Sequence, residues 1–363
     1  MKRLMILLLG SLFLQSFATE ASATTNEFGF IRSFLGAGGQ DLYGIGYNHS
    51  NNHPYVILKN GKTVRELNHF GDFIQDITIA NAGHGKEVGI DWSYGSKTIG
   101  TGTVGNGDMM ILNGINNESV IAFDSATGAL IPGTDLSYTN TKRTGGAYDN
   151  GLVGVDHAGL GPLDGGYNPE AAVWTIDYGG ADLVRQMDPT TNTELSSFSA
   201  NASQLGPGEV YISPTTNQPV TGLTGGNGEN GQGSFGVWWG ALDVHAATGN
   251  LYLVGSTYTN GFIRVMDRAG NWLHDIDIET ILDNNPAQLG GNLEIGQVTG
   301  IAIEDGTSDL EIWLSTKEGT VYHFGLRPNE PVITPEPSSL ALLALGMCGI
   351  LGYRRRTKTS IKN

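Results

Sequence analysis

Most of the chain consists of short runs in which apolar and polar residues alternate, separated by turns rich in glycine, aspartate and asparagine. The clearest run extends from Gly240 to Gly255 and contains two strand-like segments joined by a Thr-Gly-Asn turn. Residues 261–266 and 271–273 add two more segments on either side of a turn at 267–270. Because alternation with a period of two places successive side chains on opposite faces of a sheet, this region predicts four short antiparallel strands.

The same strand and turn pattern returns elsewhere along the chain. Three further segments lie within residues 300–324, and related turns begin near residues 60, 124, 188 and 267. Repetition of four-stranded units predicts an all-β protein with a β-propeller fold, although these spacings exceed the ~40 to 50 residues of a common blade. Six or seven blades of four strands fit the length. A β-sandwich or jelly roll is the alternative, since it is also rich in strands and glycine.

Helical periodicity is nearly absent. Residues 278–282 alone predict a helical turn or two, which Asn284, Asn285 and Pro286 bring to an end. The turns with an aspartate followed by Thr-Gly are similar to those of a broad group of bacterial propellers. No blade carries a diagnostic WD or kelch signature.

The N-terminal residues have the pattern of a secretory signal peptide. Lys2 and Arg3 precede an apolar run from Leu4 to Phe17, and the small residues Ala21 and Ala23 follow it. This order of a basic, an apolar and a small-residue region predicts export and cleavage after residue 23.

The C-terminal residues form a second targeting pattern. Pro335, Glu336 and Pro337 precede an apolar segment at about 338–353, and Arg354, Arg355 and Arg356 follow it. The segment predicts a membrane helix, but it is shorter than the about 20 residues of a full span. The arginines are expected on the cytoplasmic side, because basic residues beside a membrane segment resist translocation. An ordinary C-terminal anchor that is never processed is the alternative.

These three parts together resemble the PEP-CTERM sorting signal, which is also labelled the ice-binding-protein C-terminal domain. The resemblance implies a Gram-negative bacterium and an exosortase that recognises the signal at the inner membrane. It also implies cleavage near Pro335, Glu336 and Pro337 and delivery to the cell surface or to an extracellular polysaccharide matrix. Family members usually carry Val where this chain has Thr334. The body lacks the regular Thr-x-Thr ladders that an ice-binding face needs, so the label predicts no ice binding.

The charge and the cysteine content of the chain limit which partners it can bind and which reactions its side chains can support. The chain has a formal net charge of −16, and its basic termini leave the body more acidic still, which disfavours nucleic acid and anionic membrane as partners. The single cysteine, Cys348, lies in the C-terminal segment. The body therefore has no disulfide bonds or thiolate chemistry, and its stability depends on a hydrophobic core.

The sequence assigns no catalytic residue. A Gly-x-Ser-x-Gly elbow, a His-Glu-x-x-His zinc motif and a phosphate-binding loop are all missing. Trp238 and Trp239 follow a glycine-rich loop and are candidate ligand-binding residues, although neighbours on a strand point to opposite faces. Asp275 and Asp277 alternate on an extended segment, which makes them a candidate Ca²⁺ site or else a solvated strand face.

Three regions are therefore expected: a signal peptide at 1–23, a propeller-like ectodomain at 24–330 and a sorting signal at 331–363. The expected function is a non-enzymatic binding or structural role at the surface or in the matrix, with polysaccharide or a surface protein as partner. An extracellular hydrolase or lyase acting on polysaccharide or ester, with Ca²⁺ as its cofactor, is the alternative.

Overall fold

The structure is a computed structural model of the chain. It describes residues 27–59, 61–79, 87–93, 96–113, 119–137, 143–149, 172–177, 183–200, 240–245, 248–255, 262–283, 295, 297–304 and 310–327. Residues 27–326 form one compact unit. Among the residues described, the chain folds into 22 strands and one short helix, so the expected all-β class is confirmed.

Five four-stranded sheets account for 20 of these strands. Blade 1 contains β2 (Leu42–Asn48), β3 (His53–Leu58), β4 (Thr63–Leu67) and β5 (Phe73–Thr78). Blade 2 contains β6 (Glu87–Trp92), β9 (Met109–Asn113), β10 (Ser119–Phe123) and β11 (Leu136–Ser137), with a hairpin of β7 (Lys97–Ile99) and β8 (Gly102–Val104) between β6 and β9. Blade 3 contains β12 (Arg143–Asp149), β13 (Ala172–Asp177), β14 (Leu183–Met187) and β15 (Glu194–Ser199).

The last two blades complete the ring. Blade 4 contains β16 (Gly240–Val244), β17 (Leu251–Gly255), β18 (Phe262–Met266) and β19 (Trp272–Asp277), followed by α1 (Ile278–Asp283). Blade 5 contains β20 (Val298–Glu304), β21 (Glu311–Thr316) and β22 (Thr320–Arg327), and its fourth strand is β1 (Glu27–Leu35). The first strand of the described chain thus completes the last blade.

The innermost strands of the five blades are β2, β6, β12, β16 and β20. Each of them packs beside the innermost strand of the next blade, and β20 packs beside β2. This closed order is a five-bladed propeller, and it rules out the sandwich and jelly-roll alternative.

The predicted count of six or seven blades was wrong. The sequence turns used as markers are not equivalent: Gly61 lies between the second and third strands of its blade, whereas Asp124, Asp188 and Asp267 follow third strands. Long connections also lengthen individual blades, such as residues 150–171 between β12 and β13. The length of the chain is therefore divided among fewer and longer blades than a common spacing suggests.

The hydrophobic core is divided among the contacts between blades. One cluster joins blades 1 and 2 around Trp92, and another joins blades 3 and 4 around Trp174. The largest cluster joins blades 4 and 5 and includes Phe28 and Phe30 of β1. Because each blade buries one face against each neighbour, the ring supplies the core that a single four-stranded sheet lacks.

The Asp-containing turns have a defined local structure. Asp124 Oδ1 accepts hydrogen bonds from the backbone N–H groups of Ala126 and Thr127, at 3.1 and 2.7 Å. The turn ends at Gly128, whose φ of 69° favours glycine. A Cβ atom at this position would lie 2.2 Å from the carbonyl oxygen of Thr78 in blade 1. The turn therefore needs glycine both for its conformation and for its contact with the neighbouring blade.

The two terminal targeting segments lie outside the described residues, and so does the predicted membrane helix at about 338–353. Within the described part of the chain, no helix has the length and apolar character that a membrane crossing requires.

Candidate functional site

Two carboxylates face each other at one end of blade 5. Glu304 is the last residue of β20, Glu311 is the first residue of β21, and the two are direct cross-strand partners. Two residues further along β21, Trp313 lies opposite His323 of β22. Because side chains alternate along a strand, all four side chains project from the same face of the sheet. We call Glu304, Glu311 and His323 the acid–histidine cluster.

Short contacts hold the cluster together. The Nε2 atom of His323 lies 2.6 Å from Oε2 of Glu311. The indole Nε1 of Trp313 donates a hydrogen bond of 3.1 Å to Oε2 of Glu304. The rings of Trp313 and His323 are stacked, with their centroids 3.7 Å apart and their planes 9° from parallel. Stacking on a fully buried indole fixes the plane in which the imidazole of His323 can act.

Blade 1 provides the other side of the site. Tyr47 of β2 packs against Trp313, and its hydroxyl oxygen lies 2.9 Å from Nε2 of His69. The same Nε2 atom lies 3.7 Å from Oε1 of Glu304. His69 belongs to the turn between β4 and β5, and its carbonyl oxygen accepts a 3.0 Å hydrogen bond from Arg32 of β1. The site therefore lies where the first and last blades meet.

Burial controls the protonation of these groups. Burial raises the pKa of the Glu304 carboxyl, and the charge of Glu311 raises it further. Burial lowers the pKa of His323 to about 3, so its imidazole is neutral at neutral pH. Burial and the neighbouring carboxylates hold the pKa of Tyr47 well above its ordinary value, so the phenol keeps its proton and acts as a donor. The site thus combines two carboxyl groups with a neutral imidazole.

The side chains of the site differ in their exposure to solvent. The side chains of Glu311 and His69 are 29% and 33% exposed, whereas those of Glu304 and His323 are 9% and 3% exposed. A ligand or ion would therefore enter past Glu311 and His69 and meet Glu304 and His323 deeper inside. This geometry suits the binding of a small polar group or a cation, and it can also support proton transfer.

Blade 1 has a related cluster at the same register. Glu66 of β4 is the cross-strand partner of Tyr55, as His323 is of Trp313. The Glu66 carboxylate accepts hydrogen bonds from the amides of Asn51 and Gln75, at 3.0 and 2.6 Å, and it lies 2.7 Å from Nδ1 of His53. This second cluster holds one carboxylate among several donors, which is a satisfied network.

The structure places the two predicted calcium ligands in separate roles. Asp275 forms hydrogen bonds of 3.1 and 3.2 Å with the guanidinium of Arg264, and it accepts one of 2.9 Å from Trp272 Nε1. Asp277 accepts hydrogen bonds from the backbone N–H and the hydroxyl of Thr280, and so caps α1. A Ca²⁺ ion at this pair would compete with these donors, and the calcium site stays a prediction.

The remaining predicted residues lie outside the described part of the chain. They are Ala21, Ala23, Trp238, Trp239, Pro335, Glu336, Pro337, Arg354, Arg355 and Arg356. The structure does not test the tryptophans as ligand-binding residues or the alanines as a cleavage site.

Sequence reasoning missed the acid–histidine cluster. Its signal is a histidine inside an otherwise apolar strand, in the run Val321-Tyr322-His323-Phe324. The two acidic residues, Glu304 and Glu311, stand at the end of one earlier strand segment and at the start of the next. The strand register between β20 and β21 is enough to pair Glu304 with Glu311. The contribution of His69 depends on ring closure, which the sequence pattern did not predict.

Comparison with known proteins adds one assignment, at the C-terminus. A model described as the PEP-CTERM protein-sorting motif matches residues 334–356. The chain carries a PEP-CTERM sorting motif. This motif is the signal that an exosortase recognises, so the chain is an exported protein with a propeller body and a C-terminal sorting tag. The predicted resemblance is confirmed, whereas the final location of the protein is not decided by the motif.

Two solved structures are distant likenesses of the chain. A search of curated proteins finds no match. Among solved structures, a streptogramin B lyase is similar with 13% identity and a TM-score of 0.33, over 79% of this chain and 65% of the other. Virginiamycin B lyase from Staphylococcus aureus is similar with 13% identity and a TM-score of 0.30, over 79% and 66%. The chain thus spans about two thirds of each of these structures, and likenesses at this level carry no argument about activity.

Proposed function

We propose that this PEP-CTERM protein is processed by an exosortase and delivered to the surface or the extracellular polysaccharide matrix of a Gram-negative bacterium. There its propeller serves as a non-enzymatic binding or structural component. The match of residues 334–356 to the sorting motif carries this proposal. The tag would anchor the protein in the inner membrane transiently and would be removed near Pro335, Glu336 and Pro337.

The propeller body supports a binding role in two ways. Its closed ring makes a rigid platform, because every blade packs against two neighbours. Its acidic chain disfavours nucleic acid and favours neutral or cationic partners. Matrix polysaccharide or a surface protein fits these properties. One of the two residues Trp238 and Trp239 is the proposed contact for a sugar ring, since neighbours on a strand point to opposite faces.

The sorting step can be tested by neutralising the arginines of the motif. Replacing Arg354, Arg355 and Arg356 with Gln should prevent retention and cleavage of the tag, because the positive charge holds this end at the cytoplasmic side. The measurement is the mass of the exported protein together with its distribution between membrane, surface and medium. Lys358→Gln with Lys362→Gln is the matched control, since both lysines lie beyond the motif. Unchanged mass and distribution in the arginine variant would refute the proposal.

The acid–histidine cluster favours a second candidate, an extracellular hydrolase or lyase acting on polysaccharide or ester. Glu304 is a buried carboxyl group with a raised pKa, and Glu311 is its partly exposed cross-strand partner, so the site places two carboxyl groups together, as acid–base catalysis of this class requires. Glu304→Gln should abolish turnover of a polysaccharide or ester substrate without loss of the folded state. Equal turnover by this variant and the wild type would remove the site from the reaction.

A further inference from the structure

Glu304 and Glu311 are direct cross-strand partners, so two carboxyl groups lie close together on one face of blade 5. Like charges directly opposite on antiparallel strands destabilise a sheet, and here one of the two carboxylates is almost fully buried. The indole of Trp313, which is a neutral donor, forms a hydrogen bond of 3.1 Å with Glu304. A cation between the two carboxylates would remove the repulsion.

His323 provides a nitrogen ligand at the same point. Its ring is held flat against Trp313, and its Nε2 atom lies close to Glu311. Within the described part of the chain, the buried Nδ1 atom of His323 has no hydrogen-bond partner. A buried imidazole with an unused nitrogen is uncommon unless water, an ion or a ligand completes it. The nitrogen that faces the carboxylates is Nε2, which is therefore the ligand atom that His323 offers.

We propose that Glu304, Glu311 and His323 bind one divalent transition metal ion of the Zn²⁺ class. Their ligand atoms all lie within 4.8 Å of one another. A tetrahedral ion with bonds of about 2.1 Å separates its ligands by roughly 3.4 Å, so small side-chain movements complete the geometry. One imidazole with two carboxylates selects Zn²⁺ or Mn²⁺ over Ca²⁺, which prefers six to eight oxygen ligands.

His69 lies where a fourth ligand would be needed. Its Nε2 atom is 3.7 Å from Oε1 of Glu304, close to the ligand spacing of a tetrahedral site. The partly exposed side chains of His69 and Glu311 also give the ion a path from solvent. The cluster around Glu66 in blade 1 is not a comparable metal site. It has a single carboxylate, and amide groups already donate hydrogen bonds to that carboxylate.

Metal binding can be measured directly on the full chain. The protein is purified in detergent without a polyhistidine tag, treated with a chelator and titrated with ZnCl₂, MnCl₂ or CaCl₂ in a calorimeter at neutral pH. We expect one Zn²⁺ ion per chain, much weaker Ca²⁺ binding and a rise in the unfolding temperature with Zn²⁺. Glu311→Gln should weaken Zn²⁺ binding by at least about tenfold, because it removes a ligand where even supporting residues have effects of this size.

Two further variants keep the test specific. Glu318→Gln makes the same charge change at the exposed turn between β21 and β22, and it should bind Zn²⁺ like the wild type. Glu304→Gln should weaken binding as Glu311→Gln does. Absence of stoichiometric Zn²⁺ binding, or equal affinity of the wild type and both cluster variants, would overturn the proposal. Metal binding and tag processing are independent, so failure of one leaves the other result standing.

Discussion

Buried polar residues recur at one register of the third strands. Glu66, Gln186, Arg264 and His323 each lie opposite a second-strand residue, and the first, third and fourth are nearly inaccessible. Three of them find a partner on the fourth strand: Gln75 for Glu66, Ser196 for Gln186 and Asp275 for Arg264. His323 has its carboxylate partner on β21 instead. The polar side chain at this register therefore differs from blade to blade, while the four-stranded fold of the blade stays the same.

His274 is a buried histidine whose ring nitrogens both lack hydrogen-bond partners in the described part of the chain. Burial lowers its pKa to about 4, from 6.5 in an unfolded chain. Between these two pKa values His274 binds a proton in the unfolded state but not in the folded state. The free energy of unfolding therefore falls as the pH drops from 6.5 towards 4. The full difference is about 3 kcal/mol.

His274→Leu should remove this share of the acid sensitivity. The free energy of unfolding, measured in urea above and below this pH window, should fall less steeply in the variant than in the wild type. An identical pH slope for both proteins would show that His274 keeps its ordinary pKa.

At the scale of the element, β1 packs into the contact between blades 4 and 5, which its sequence pattern did not predict. Phe28 and Phe30 are buried in the cluster between blades 4 and 5, and the ring of Phe30 meets that of Phe324 edge to face at 5.9 Å. Leu35, at the end of the same strand, is 59% exposed. The strand therefore packs against the neighbouring blade through its first residues, whereas its end is exposed to solvent.

Phe30→Ala should lower the free energy of unfolding by about 3 to 5 kcal/mol, because it leaves a cavity at a closely packed contact. Leu35→Ala is the matched control on the same strand, and it should change stability by less than about 0.5 kcal/mol. Denaturant unfolding monitored by tryptophan fluorescence gives both values. Similar effects of the two substitutions would mean that β1 does not pack as described.

The Asp-containing turns give a second test at this scale. Gly128→Ala should destabilise the protein more than Asp124→Ala does. The first change adds backbone strain and a clash with Thr78, whereas the second removes the turn hydrogen bonds, an effect of about 1 kcal/mol. The comparison requires only the two midpoints of urea unfolding, and the reverse order would contradict the turn geometry.

At the scale of the whole molecule, ring closure joins the two ends of the described chain. β1 pairs with β22, and β20 packs beside β2, so no blade ends the array. The acid–histidine cluster of blade 5 lies at this closure, beside His69 of blade 1. The arrangement of the site therefore depends on the closed ring.

Deleting residues 27–35 should open the ring and remove the single cooperative unfolding transition expected of the closed propeller. Loss of β1 exposes β22 as an edge and uncovers Phe324. Calorimetry and size-exclusion chromatography of this variant, beside a chain that begins at Glu27, provide the measurement. A deletion variant that stays monomeric with an unchanged transition would show that closure through β1 is dispensable.

Much of the fold could be predicted from alternation and turns. The segments in residues 240–273 and 300–324 correspond to β16–β19 and β20–β22, and the short helix was expected at 278–282. Blade number could not be derived, because the marker at Gly61 occupies a different turn from Asp124 and because insertions stretch the spacing. The assignment of β1 to the last blade was also missed, since pairing between chain ends leaves no local pattern.

The sequence by itself determined the all-β class, the repeated hairpins and the PEP-CTERM motif, because each depends on residues close together along the chain. Tertiary structure decided the number of blades, the closure through β1 and the meeting of Glu304, Glu311 and His323 with His69. These features arise from strand register and from packing between blades, which join residues far apart in the chain.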